Sequence, residues 1–267
     1  MQTEDKNARP ATIDPRARIR SPKGILFDAG GTLFDLRKSV GWHYSHYARE
    51  FGVAVEAETL NRRFAVAFQH AAPLAFPMAD GQDLIVQEQA WWRALLQAVF
   101  APYSIADFDR FFGEVYASFS RPDAWSLFPE THPTLARLRQ QGQVLGIVSN
   151  FDSRLLPICE GLGIASFFKT ITFSSHAGVA KPSPEIFKIA LRQMGLHATD
   201  VVYVGDSPRH DLDGPRHLGM TALLLDRAGR HAHLNATRIP DLSYVLGHLS
   251  LPPHKTDLPE ADLPGSP

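Results

Sequence analysis

The spacing of hydrophobic positions changes twice along this chain. Gly24-Ile25-Leu26-Phe27 is a short apolar run of the kind that fills a strand buried on both faces. After Asp35 the period lengthens to that of helices: Val40, Tyr44, Tyr47 and Phe51 form one stripe before Gly52, and Leu84, Trp91, Leu95 and Val99 another before Pro102. Ile105, Phe108, Phe112, Val115 and Phe119 form a third. From Ser126 short apolar runs return, at 144–148, 170–173, 201–204 and 221–225, with helical patterns between them. That alternation is what βαβ units require. The pattern predicts an α/β fold with one parallel-sheet core, residues 23–35 and 126–250, interrupted by an all-helical insertion over residues 36–125. A disordered leader is expected over residues 1–22, and a disordered tail over residues 251–267, which are rich in Pro, Asp and Glu.

Composition narrows the partners. The chain has 267 residues, of which 44% are hydrophobic and 21% charged, enough for a full α/β core and a smaller second unit. A net charge of -1 offers no general attraction to nucleic acid or to an anionic membrane, and small molecules are the expected partners. Cys159 is the only cysteine, so no internal disulfide forms and a reducing, cytoplasmic compartment is expected. No apolar stretch reaches the ~20 residues needed to span a bilayer.

The chemistry is expected at the strand ends. In an open parallel sheet, ligands lie beyond the carboxyl ends of the strands. The first run ends in Asp28, which opens the turn Asp28-Ala29-Gly30-Gly31-Thr32-Leu33. A carboxylate there, followed by residues too small to crowd a ligand, is placed to attack or to bind metal. The second run ends in Ser149-Asn150, a hydroxyl and an amide suited to a phosphoryl oxygen, although a strand-terminal serine is also a common helix cap. In Lys181-Pro182-Ser183-Pro184, Ser183 and Pro184 have the form of an N-cap and a first helical residue, which places the Lys181 ammonium before a helix start. The fourth run ends in Gly205-Asp206-Ser207, with Asp211 five residues beyond Asp206. One of these carboxylates beside Asp28 makes a hard, oxygen-only site that suits magnesium. Three carboxylates in one pocket repel unless a cation is present, and Lys181 with a divalent metal supplies the positive charge. Neither a phosphate-binding P-loop nor a dinucleotide fingerprint is present.

Taken in order, Asp28-Ala29-Gly30-Gly31-Thr32, Ser149-Asn150, Lys181-Pro182 and Gly205-Asp206-Ser207 with Asp211 resemble the four motifs of the haloacid dehalogenase-like (HAD) hydrolase superfamily. The resemblance covers about Lys23 to Asp226. It implies a Rossmann-like core with a helical cap, and a magnesium-dependent phosphatase acting on a small phosphorylated metabolite through an aspartyl-phosphate on Asp28. It further implies magnesium held by Asp28, Asp206 and the main-chain carbonyl of Gly30. Ser149, Asn150, Thr32 and Lys181 are the implied substrate-binding residues, with the Thr32 hydroxyl bracing the loop. Asp211 is implied to orient Lys181 or a metal-bound water.

One position departs from that pattern. The phosphatases of the superfamily usually carry a second aspartate two residues after the nucleophile, where this chain has Gly30. Losing a general acid-base costs ~10²–10⁴ in rate, so slow turnover or a restriction to good leaving groups is expected. Asp35, His43 and His46 are the candidates for a replacement. Two alternatives stand beside the phosphatase: a metal-independent, dehalogenase-type hydrolase using Asp28, and a catalytically weak protein that binds a phosphorylated ligand or a partner.

Overall fold

A computed structural model describes residues 19–20 and 22–250. Its strands are β1 (Ile19–Arg20), β2 (Gly24–Phe27), β3 (Phe34–Leu36), β4 (Trp125–Leu127), β5 (Val144–Ser149), β6 (Thr170–Phe173), β7 (Val201–Gly205), β8 (Thr221–Leu225), β9 (Thr237–Ile239) and β10 (Leu249–Ser250). Six of them form one parallel sheet in the order β6-β5-β2-β7-β8-β9. β2 lies near the middle, with Phe27 opposite Ile147 on one side and Val204 on the other.

Strand residues alternate between the two faces of the sheet. Ile25 and Phe27 join Ile147, Val202 and Val204 in one core cluster, while Leu26, Val148 and Tyr203 join Ile186 and Phe187 in another. Helices cover both faces, which is why the strands read as continuous apolar runs. Each fully buried Leu, Ile or Phe contributes about 1.5–3 kcal/mol of transfer free energy. The rigid centre of the sheet is therefore the frame from which the strand ends project.

The insertion is helical, as the three stripes predict. Its helices are α1 (Val40–Glu50), α2 (Ala57–His70), α3 (Gly81–Phe100) and α4 (Phe108–Ser120). Tyr44, Leu60, Leu96, Val99, Phe100 and Phe111 form its own core. α4 begins at Phe108 rather than near Ile105, because the Asp107 side chain caps it by accepting from the Arg110 amide. The expected borders of the insertion, 36 and 125, fall inside a pair of antiparallel strands, β3 and β4, with Leu36 opposite Trp125. The two connections between core and cap are thus hydrogen-bonded to one another.

The remaining helices belong to the core: α5 (Thr131–Gln140), α6 (Leu155–Gly161), α7 (Ser174–Ala177), α8 (Pro184–Met194), α9 (Pro208–Asp211), α10 (Asp213–His217) and α11 (Tyr244–His248). The expected leader is corrected at its end, where Ile19–Arg20 pair in parallel with Leu249–Ser250. The rest of the leader through residue 18, and the tail from residue 251, lie outside the described residues. No helix among the described residues is long and apolar enough to cross a membrane.

Candidate active site

The central strand delivers Asp28 to the carboxyl edge of the sheet, where its amide donates to the Val204 carbonyl at 2.9 Å. The neighbouring strands end in Ser149 and Gly205, so the two loops that follow flank it on either side. Ser183 caps α8 and Pro184 is its first residue, as the sequence predicts, which holds Lys181 just ahead of that helix. Two close approaches complete the pocket. Gly31 has φ 78°, and a Cβ there would meet the Asp206 carboxylate at 2.6 Å, so both its backbone and its neighbour require glycine. A Cβ on Gly205 would meet Asp211 Oδ2 at 2.4 Å.

These constraints bring the charges together. The Lys181 ammonium is buried, 2.7 Å from Asp211 Oδ1 and 2.9 Å from Asp28 Oδ1. Burial opposes its charge, but the carboxylates of Asp211 and Asp28 outweigh that and hold its pKa above the ordinary lysine value. The Tyr203 hydroxyl accepts from Lys181 and donates to Asp211 Oδ1, both at 2.9 Å. Burial, and then the charges of Asp211 and Asp28, push the Tyr203 pKa well up, so its proton stays in place. The Ser207 amide donates to Asp211 Oδ2 at 2.8 Å. Asp211 thereby accepts from three donors and anchors Lys181.

Asp28 and Asp206 are less well compensated. Asp28 Oδ1 is buried and, although in ion contact with Lys181, has no donor aligned for a hydrogen bond among the described residues. Burial raises the Asp28 pKa, Lys181 works against this, and Asp211 adds to it. Burial, then the charges of Asp28 and Asp211, push Asp206 up to about 7. One carboxylate oxygen from each of Asp28, Asp206 and Asp211 lies within 4.8 Å of the others. An under-coordinated buried oxygen and a pair of carboxylates short of positive charge fit a hard divalent cation. Because Asp211 is engaged by Lys181, Tyr203 and Ser207, Asp28 and Asp206 are the side chains available to hold one.

The other expected residues have definite places. Ser149 is buried, and the nearness of its hydroxyl works to lower the Asp28 pKa. Thr32 donates to Asp206 Oδ1 at 2.9 Å, so its hydroxyl braces the turn against the opposite strand end. Asn150 accepts from the Lys181 amide at 2.7 Å and donates to the Lys181 carbonyl at 3.0 Å. Both ends of its amide thus hold the Lys181 main chain. Among the described residues Gly30 faces open space, since a Cβ there would meet none of their atoms within 4 Å.

Of the candidate replacements for an acid-base, Asp35 is exposed and accepts from the Leu36 amide. His46 is exposed and stacks on Trp42 with ring centroids 5.1 Å apart. His43 is buried against Phe119, with Nε2 unpartnered among the described residues. Burial, and then His46, push its pKa down, which leaves it neutral at pH 7.

Two contributors are not legible as site residues in sequence. Tyr203 sits inside the apolar run Val201–Gly205 and reads as core. Arg227 donates to the Thr32 carbonyl at 2.9 Å and to Glu130 at 2.6 Å, with its guanidinium 3.7 Å from the centre of the Phe128 ring, so it clamps the turn after Asp28. A loop arginine carries no periodic signal.

The chain is similar to known hydrolases in sequence and in fold. The haloacid dehalogenase-like hydrolase family model matches residues 22–219. Haloacid dehalogenase-like hydrolase domain-containing protein 3 of Danio rerio is 34% identical over 217 residues, covering 79% of this chain and 88% of that protein. A phosphoglycolate phosphatase of Yersinia pseudotuberculosis is 26% identical, covering 87% of this chain and 92% of its own. Among solved structures, the HAD hydrolase YfnB of Bacillus subtilis, determined bound to magnesium, superposes with a TM-score of 0.67 at 18% identity, over 86% of this chain and 99% of that one.

Proposed function

The chain belongs to the haloacid dehalogenase-like hydrolase family, and on that premise we propose that it is a magnesium-dependent phosphohydrolase whose nucleophile is Asp28. The observation that carries the proposal is the Asp28 carboxylate itself. It stands at the carboxyl end of the central strand, its buried Oδ1 ion-paired to Lys181 at 2.9 Å and, among the described residues, with no aligned hydrogen-bond donor. The phosphatase name of the Yersinia relative supports the same reading.

In this reading Asp28 attacks phosphorus and forms an aspartyl-phosphate, dividing one displacement into two easier ones. Lys181 and the Ser149 hydroxyl bind the oxygens of the transferring group, and Asp211 with Tyr203 keeps Lys181 charged and in place. Asp28, Asp206 and the Gly30 carbonyl hold magnesium, which when bound neutralises charge between the nucleophile and the phosphoryl group. Thr32 orients Asp206 for that purpose.

Gly30 sets the substrate range. With no side chain there to protonate the leaving oxygen, esters with good leaving groups are hydrolysed fastest, and phosphate leaves Asp28 slowly. The experiment is a panel of phosphate esters, aryl and alkyl, assayed with magnesium, with chelator, and with the Asp28→Asn variant. Turnover that needs both magnesium and Asp28 supports the proposal. Release of halide from a haloacid without magnesium would instead assign the dehalogenase-type reaction, and phosphate binding without turnover a ligand-binding role.

A further inference from the structure

Outside the pocket, a buried polar network joins the cap to the two core loops that frame Lys181. Glu88 lies on α3 in the cap and is fully buried. Its carboxylate accepts from the Ser153 amide at 2.9 Å, from the Ser153 hydroxyl at 2.5 Å and from the Ser175 hydroxyl at 2.5 Å. One turn further along the same helix, Trp92 donates its indole N–H to Asp152 Oδ2 at 2.5 Å. Asp152 is also fully buried and is paired with Arg154, whose guanidinium lies 4.9 Å from the centre of the Trp92 ring and 4.2 Å from that of Tyr116, both cap residues.

The core residues in this network are not scattered. Ser153 is four positions past Ser149 and three past Asn150, the residue that clasps the Lys181 main chain. Ser175 opens the segment that runs to Lys181, and the cap loop crosses that segment too, with Phe76 donating to the Ser175 carbonyl at 3.2 Å. Single cap side chains therefore grip both loops that determine where the ammonium sits. Burying a carboxylate gains little stability over an apolar contact of the same volume. What it gains is a seat defined by hydrogen-bond direction, made of groups that water can satisfy again when the cap lifts. An apolar contact would neither fix the register so narrowly nor release so cheaply.

We infer that Glu88 is a positioning residue: a cap-borne latch that holds the loops 149–154 and 174–181 in the arrangement in which Lys181 receives a phosphoryl group. The inference rests on the reading of Lys181 as the phosphoryl-binding cation. Glu88 touches neither Asp28 nor Asp206 in the network described, so the latch acts on anion binding and not on the metal site.

The test uses the full chain and its Glu88→Ala, Glu88→Gln and Ser175→Ala variants. Calorimetry measures magnesium affinity, then inorganic phosphate affinity in excess magnesium, and hydrogen exchange follows the two loops. Glu88→Ala strands the buried Ser175 hydroxyl and the half-buried amide and hydroxyl of Ser153, which is expected to weaken phosphate binding by about tenfold or more, speed exchange in both loops and leave magnesium affinity unchanged. Glu88→Gln keeps an oxygen for the Ser153 amide and the Ser175 hydroxyl, while the Ser153 hydroxyl can turn to accept from the new amide, so affinity within about threefold of the parent is expected. Ser175→Ala removes a single donor and gives a smaller change of the same kind, which serves should Glu88→Ala not fold. Unchanged phosphate affinity and exchange in Glu88→Ala would overturn the latch, as would equal losses of magnesium and phosphate binding, or a loss with Glu88→Gln as large as with Glu88→Ala. A parent protein that binds no phosphate would sink the proposed function instead, while loop exchange would still decide the latch.

Discussion

At the scale of single residues, the pocket is a problem of charge balance in which each side chain has a separable part. Tyr203→Phe removes the hydroxyl between Lys181 and Asp211, leaving the ammonium one acceptor short. Turnover is expected to fall about tenfold with magnesium affinity unchanged, read by steady-state kinetics and calorimetry. Asp206 gives a pH dependence of definite sign. Its pKa in the metal-free folded protein is about 7, above the ordinary 3.8, so the folded chain holds a proton that the unfolded chain releases. That contribution to stability is complete below the ordinary carboxylate range and is lost as pH rises toward and through 7. On the proposed reading a cation takes the proton's place. Thermal melts should therefore show magnesium stabilising the protein above pH 7, with the effect fading as pH falls below it. Asp28, Lys181, Asp206 and Asp211 were legible in sequence because each stands at a strand end or helix start, where polarity interrupts an apolar run. Tyr203 was not, since a tyrosine among valines satisfies the rules of a core strand as well as those of a site. Gly30 could be read as a missing acid, but only the structure shows that the space beside it is open. Gly30→Asp is thus expected to fold and to raise turnover of alkyl phosphates more than that of aryl phosphates, an outcome that parallel assays of the two substrate types would check.

At the scale of elements, long periodic segments were legible and short ones were not. The strands β2, β5, β6, β7 and β8 and the helices α1, α3 and α4 follow directly from period and burial. β3, β4 and β9, of three residues each, are too short to show alternation, and they form because neighbours offer them edges. α2 carries only one fully buried residue, Leu60, so its apolar stripe is faint. Glu88 reads as one more charge on a helix until the fold places Ser153 and Ser175 against it. The core of the cap makes its own prediction. Phe111 is fully buried among Phe51, Phe100 and Phe108, and Phe111→Ala is expected to cost about 3–5 kcal/mol in a urea titration.

At the scale of the molecule, the sheet and the helical cap are joined by the paired strands β3 and β4 and by the Glu88 network. On the proposed reading, the nucleophile is enclosed and reached by parting this hydrogen-bonded seam while the sheet edge stays fixed. The central claim is that Asp28 becomes covalently phosphorylated in a pocket whose negative charge a cation balances. Because Gly30 offers no base to activate water, the phosphorylated form should accumulate during turnover. The most direct measurement is an acid quench of the protein reacting with an aryl phosphate and magnesium, followed by mass spectrometry of the peptide that contains Asp28. A phosphoryl group on Asp28 that requires magnesium and is absent from Asp28→Asn is the predicted result; turnover that persists in Asp28→Asn, or that proceeds with Asp28 never modified, would contradict it.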